Sequence, residues 1–121
     1  MNAILERAAA HYAAQEKTRV EVPEWGIDGA PLVIFHTGLT VAERRKIFRA
    51  DSSGRAPDGP TSCVRAVILK ACDESGKRLF SEMDEHDLTH KVDSDVVGRI
   101  AASILVGVEL DDGALDTEKK D

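Results

Sequence analysis

The fold turns on residues 18–37, TRVEVPEWGIDGAPLVIFHT. Val20 and Val22 alternate with Arg19 and Glu21, and a period of two is the mark of a strand with one buried face. PLVIFHT, from Pro31, is β-branched and aromatic, as strands prefer. Between these runs, Gly26 to Gly29 supply turn residues, so the stretch reads as one hairpin. Pro23 and Pro31 cannot donate to a ladder, which confines the small sheet to edge positions and strand ends.

Working outward, the period changes on both sides. Residues 2–16 read as an alanine-rich helix with Ile4, Ala8 and Tyr12 on one stripe. Downstream, Thr40-Val-Ala-Glu43 is a capping box that opens a helix through Ala50. DSSGRAPDGP, residues 51–60, is a run of turn formers and therefore a loop. Thr61 or Ser62 then caps a helix whose Val64, Val67, Ile68 and Ala71 make an apolar face. DESGK turns the chain again. Ser81 caps a short polar helix, and Asp93 or Ser94 caps a last one on which Val96, Val97, Ile100, Ile104 and Val108 share a face. No internal repeat is visible. These readings predict an α+β fold, mainly helical, with a small N-terminal β-hairpin packed on a bundle of three or four helices.

Composition narrows the function. A chain of 121 residues, 42% apolar and 31% charged, has the balance of one soluble globular domain. A net charge of −6 and only 4% aromatic residues argue against both a phosphate-binding face and a base-stacking platform. Nucleic acid is thus an unexpected partner. Residues 109–121 hold six acids and two lysines, which is −4 of the −6, and are predicted to form an acidic flexible tail. Glu6 and Arg7 interrupt what a signal peptide would need, and the longest apolar run, AASILVGV, is too short for a membrane span. A cytoplasmic protein without a membrane partner is expected. Cys63 and Cys72 fall in what reads as one helix, on opposite sides and about 13 Å apart along its axis. That gap excludes a disulfide, and both read as small core residues.

DEHDLTHK, residues 84–91, sets His86 and His90 one helical turn apart with an acid after the first, as in the H-E-x-x-H signature of zinc peptidases. A metal-dependent hydrolase would also need a glutamate reaching a metal-bound water, a third ligand and a dry cleft. Asp87 is a methylene short, no third ligand sits at a recognisable spacing, and the surrounding helix is polar. The acids Asp84, Glu85 and Asp87 suit the positive end of a helix dipole. We therefore read no metal at His86 and His90, no cofactor and no catalytic residue. Nucleophile elbows and phosphate loops are missing as well. Two other features favour binding. Arg44, Arg45, Lys46 and Arg49 share a helix with Val41, Ile47 and Phe48, either a solvated face or a basic edge for an acidic partner. Trp25 at a strand end either covers the core or anchors an interface.

VEVPEWG, then a strand running into GLTVAERRKIF, then a capped helix ending CDESGKRLFSEMD, then VGRIAASILV, resembles the phage tail assembly chaperones of long-tailed phages and prophages. In that family a W-G strand, an L-T-x-x-E-R helix start and a D-E-x-G-K-x-L-F turn recur, here Trp25-Gly26, Leu39 to Arg44 and Asp73 to Phe80. The likeness covers residues 18–108 and leaves residues 1–17 as an N-terminal helix or arm. It implies a non-enzymatic chaperone in the host cytoplasm that coats the helical tape measure protein, keeps it soluble until tail tube polymerisation, and is absent from the mature virion. It also implies the tail tube protein as a second partner, some self-association, and a longer product made by ribosomal slippage near Lys119-Lys120. Trp25, Arg44, Arg45, Ile47, Phe48 and Arg49 are the expected contact residues. An unrelated small interaction domain of the same architecture is the other reading.

Overall fold

A computed structural model describes residues 2–106; the expected acidic tail at 109–121 and the place of Val108 on the last helix lie outside them. The fold is α+β. It comprises α1 (Ala3–Ala14), β1 (Thr18–Ile27), β2 (Ala30–His36), α2 (Val41–Ile47), α3 (Gly59–Lys70), α4 (Glu85–His90) and a last helix, α5, over residues 94–106.

The hairpin is antiparallel, with Thr18 opposite His36 and Val22 opposite Leu32. Asp28 and Gly29 turn the chain with φ of 54° and 79°, the pair of positive angles that matches the twist of a two-residue hairpin loop. Between the pairs Val22–Leu32 and Ile27–Ala30, four residues of β1 (Pro23 to Gly26) then face one of β2 (Pro31), so Pro23 to Gly26 form a bulge. Pro23 lies in that bulge, where its missing N–H breaks no ladder bond. A side chain at Gly26 would collide with the Ala30 carbonyl oxygen, which explains glycine after the tryptophan. Val22 and Ile34, both fully buried, place the inner face of the sheet against the helices.

Helix starts follow side-chain caps. Thr40 Oγ accepts the Glu43 N–H and Glu43 returns a bond to the Thr40 N–H, as the sequence predicts. The start of α3 departs from expectation: Asp58, not Thr61 or Ser62, is the N-cap, because its carboxylate takes the Thr61 N–H at 2.8 Å and Pro60 fits an early position that needs no donor. At its other end α3 stops at Lys70, so Cys72 is not helical. It exchanges two backbone hydrogen bonds with Phe35, at 2.8 and 2.9 Å, and so extends the sheet by a bridge. Strand pairing has overridden the helical period there. No disulfide joins the two cysteines; Cys63 is half-buried and Cys72 buried. The helix α2 is also shorter than predicted, ending at Ile47 with Phe48 as its cap.

The core is made by Val22 and Ile34 from the sheet, Ile47, Val64, Val67 and Ile68 from α2 and α3, Leu88 from α4, and Val96, Val97, Ile100, Ile104 and Leu105 from α5. By contrast α1 buries no residue and is tied on through Tyr12, whose hydroxyl donates to the Gly38 carbonyl at 2.8 Å. Glu24 in the bulge forms a two-pronged pair with Arg99 of α5, at 3.0 and 2.6 Å, and that bond draws its carboxyl down to about 2.

One local repeat escapes the sequence reading. Asp51-Ser-Ser-Gly-Arg55 and Asp73-Glu-Ser-Gly-Lys77 fold identically: in each, the aspartate Oδ1 takes the N–H (2.9 Å) and hydroxyl (2.6 Å) of the serine and the N–H (3.0 Å) of the basic residue. Gly54 and Gly76 close the two turns at φ of 85° and 93°.

Candidate functional site

Helix α2 has two unlike sides. Ile47 is fully buried and holds it to the core. On the outer side Val41 and Phe48 remain 66% and 40% exposed. Together with Arg44, Arg45 and Arg49 they line an open concavity of about 480 Å³. The spacing i, i+3, i+4, i+7 stacks Val41, Arg44, Arg45 and Phe48 into one stripe, with Arg49 just past the helix cap. None of the three guanidinium groups forms an ion pair with a described residue, so their charge faces outward.

What fixes this face is a polar cluster beneath it. Lys70, 7% exposed, sends its ammonium to both oxygens of Glu43 at 3.0 Å, to Thr37 Oγ at 2.7 Å and to the Gly38 carbonyl at 3.1 Å. Burial acts to raise the Glu43 carboxyl, but the Thr40 N–H and Lys70 outweigh it and hold it below its usual value. Glu43 therefore caps α2 and pairs with α3 at once. At the far end Arg65 donates to the Ile47 and Arg49 carbonyls at 3.1 and 2.8 Å, closing two acceptors that a helix end would leave open. The face is held at both ends.

Beside Lys70 lies His36, 4% exposed. Its Nδ1 meets the Thr37 carbonyl at 3.3 Å, which can only accept, so that nitrogen carries the proton and Nε2 accepts from Ser103 Oγ at 2.8 Å. Burial lowers its pKa, and nearby Lys70 adds to the effect. As pH falls below about 6.5 the unfolded chain takes up a proton at this position before the folded chain does. Stability should therefore decline as pH falls from about 6.5 towards the lowered folded value, and a His36→Gln variant should flatten that limb in urea titrations. An unchanged slope in the variant would show that other groups govern the limb.

The expected contact residues divide. Arg44, Arg45, Phe48 and Arg49 come together on the concavity. Ile47 does not join them, because the same helical geometry that aims Phe48 outward turns its neighbour into the core. Trp25 is elsewhere: half-buried, it meets Phe80 edge to face at 6.4 Å and packs against the core. In the sequence Val41 reads only as part of an amphipathic pattern, yet it forms one wall of the concavity. Lys70 was missed altogether. Its signal was available, since Cys63, Ala66, Val67 and Lys70 follow one helical stripe, and a lysine in an apolar stripe needs a buried partner.

His86 and His90 lie side by side, with ring centroids 4.5 Å apart and planes tilted by 40°. Among the described residues no group of three or more histidines, cysteines or carboxylates is placed to hold a metal ion. No helix among them is long and apolar enough to cross a membrane. No family model matches the chain, and no curated protein or solved structure is significantly similar to it.

Proposed function

We propose that this protein is a non-enzymatic binding protein of the phage tail assembly chaperone type, holding the tape measure protein in soluble form before tail tube polymerisation. The observation that supports this most is the outer face of α2, where apolar Val41 and Phe48 stand among three arginines that form no ion pair with a described residue. An acidic, amphipathic helix suits such a face: its apolar residues cover Val41 and Phe48 while its carboxylates meet the guanidinium fork. Short contact length also suits the role. A client coated by many copies needs each contact to be small and releasable. The resemblance of the motifs from Trp25-Gly26 to Phe80 to those of tail assembly chaperones is what suggests the tape measure protein as the client.

Co-expression with the tape measure protein of the same gene cluster tests the reading. The wild-type chain should keep that protein soluble and co-purify with it in several copies. Arg44→Glu with Phe48→Ala should weaken the complex about 30-fold or more, the effect of losing a hot spot of about 2 kcal/mol. Undiminished co-purification by this variant, with an unchanged circular dichroism spectrum, would remove α2 as the client face. A tape measure protein that stays insoluble with the wild-type chain would remove the chaperone reading itself.

A further inference from the structure

We propose that this protein pairs with a second copy of itself along the free edge of β1, residues 18–22, so that two hairpins join into one four-stranded antiparallel sheet about a twofold axis at Val20. The edge is open because of where its hydrogen bonds go. In an antiparallel pair, alternate residues bond across to the neighbouring strand, and those between them point N–H and C=O the other way. Phe35 gives both of its groups to Cys72, on the side of β2 away from β1. Arg19 stands opposite Phe35 and Glu21 opposite Val33, so both belong to the set whose backbone groups face away from β2. No described residue meets those groups. They form a short ladder without a counterpart, a template for another strand. The outer edge of β2 offers less, since Cys72 already occupies Phe35 and Pro31 has no N–H.

Charge decides the occupant. Arg19 and Glu21 lie two residues apart on the same exposed face, 3.8 Å from guanidinium to carboxylate. When this strand pairs antiparallel with its own copy about Val20, Arg19 falls opposite Glu21 of the second copy, and Glu21 opposite Arg19 of that copy. The residues whose backbone groups are open thus become the hydrogen-bonded pairs of the new ladder, and the same two pairs bring opposite charges together. Val20, half-buried, meets Val20 of the copy in the non-hydrogen-bonded position, where side chains approach most closely. A register shifted by two residues would set Arg19 on Arg19 or Glu21 on Glu21, so charge also fixes the alignment. Pro23 and the bulge end the ladder after Val22. The twofold pairing uses the edge of both copies at once, and association therefore closes at the dimer.

The purified chain alone tests this, and the outcome is independent of the chaperone reading. Sedimentation should show a reversible dimer. Arg19→Glu and Glu21→Arg each set like charges opposite one another on both sides of the axis, and each should weaken the dimer about 10-fold or more. An equimolar mixture of the two variants should dimerise again as the mixed species, which native mass spectrometry separates by mass. The chain carrying both changes should regain the homodimer with its charges exchanged. Amide exchange gives the place: Arg19 and Glu21 should gain protection as concentration rises, while Val20 and Val22, bonded to β2, stay protected throughout. A wild-type chain still monomeric at about 1 mM, the weak end of specific association, would overturn the proposal and leave the edge to an extended segment of a different protein. A mixture of folded single variants no more dimeric than either alone would overturn it too. A dimer indifferent to all three variants would overturn it in favour of another face.

Discussion

Glu43→Ala is expected to cost about 3–5 kcal/mol of stability, because it leaves the Lys70 ammonium buried with only a hydroxyl and a carbonyl for company. The loss corresponds to a fall in Tm of about 12–20 °C, at roughly 4 °C per kcal/mol for a domain of this size. The paired change separates two causes. If the burden is the stranded charge, Glu43→Ala with Lys70→Met should recover most of the loss, since a buried ion pair exchanged for apolar groups is often neutral or better. What remains should be near 1 kcal/mol, the worth of the capping bond returned to Thr40. A single variant that loses less than about 1 kcal/mol, or a double variant no more stable than the single, would show that Lys70 finds other partners. The same residue joins stability to binding. Glu43 fixes the first turn of α2, so its loss should loosen the arginine face before the core is affected.

How legible such features are depends on how local their causes are. The hairpin is legible because the alternation at Val20 and Val22 and the turn formers from Gly26 to Gly29 lie within a few residues of one another, although β1 runs on to Ile27 and the turn itself narrows to Asp28-Gly29. The Thr40–Glu43 box and the Ser81 cap were legible for the same reason. Asp58 was passed over because Asp-Gly-Pro also signals a turn, and only the following helix decides that its carboxylate is a cap. The end of α3 was out of reach. Its apolar period runs on to Ala71, but the partner that draws Cys72 into the sheet is Phe35, 37 residues away. Likewise the buried Lys70 depends on Glu43, Thr37 and Gly38, which a sequence places far from it. Within the candidate site, the arginines announced themselves, whereas the inward turn of Ile47 required knowing which side of a two-turn helix meets α3.

Ile100→Ala should cost about 3–5 kcal/mol, the upper part of the range for a buried isoleucine, and should not act through partner binding. The reasoning starts from position. Ile100 is fully buried near the middle of α5, and Val96, Val97, Ala101, Ile104 and Leu105 around it are each at most 5% exposed. A helix held along its whole inner stripe cannot collapse into the space that the lost carbons leave, so the cavity remains and adds to the transfer cost. Val41→Ala is the opposite case. At 66% exposure it should change stability by less than about 0.5 kcal/mol, yet it removes a wall of the α2 concavity. Urea midpoints and partner co-purification for the two variants should therefore cross: Ile100→Ala unstable but binding whenever folded, Val41→Ala stable but weakened in binding. A stable Ile100→Ala protein that had lost only its partner would move the binding face from α2 to α5, and with it the place at which an acidic helix must dock.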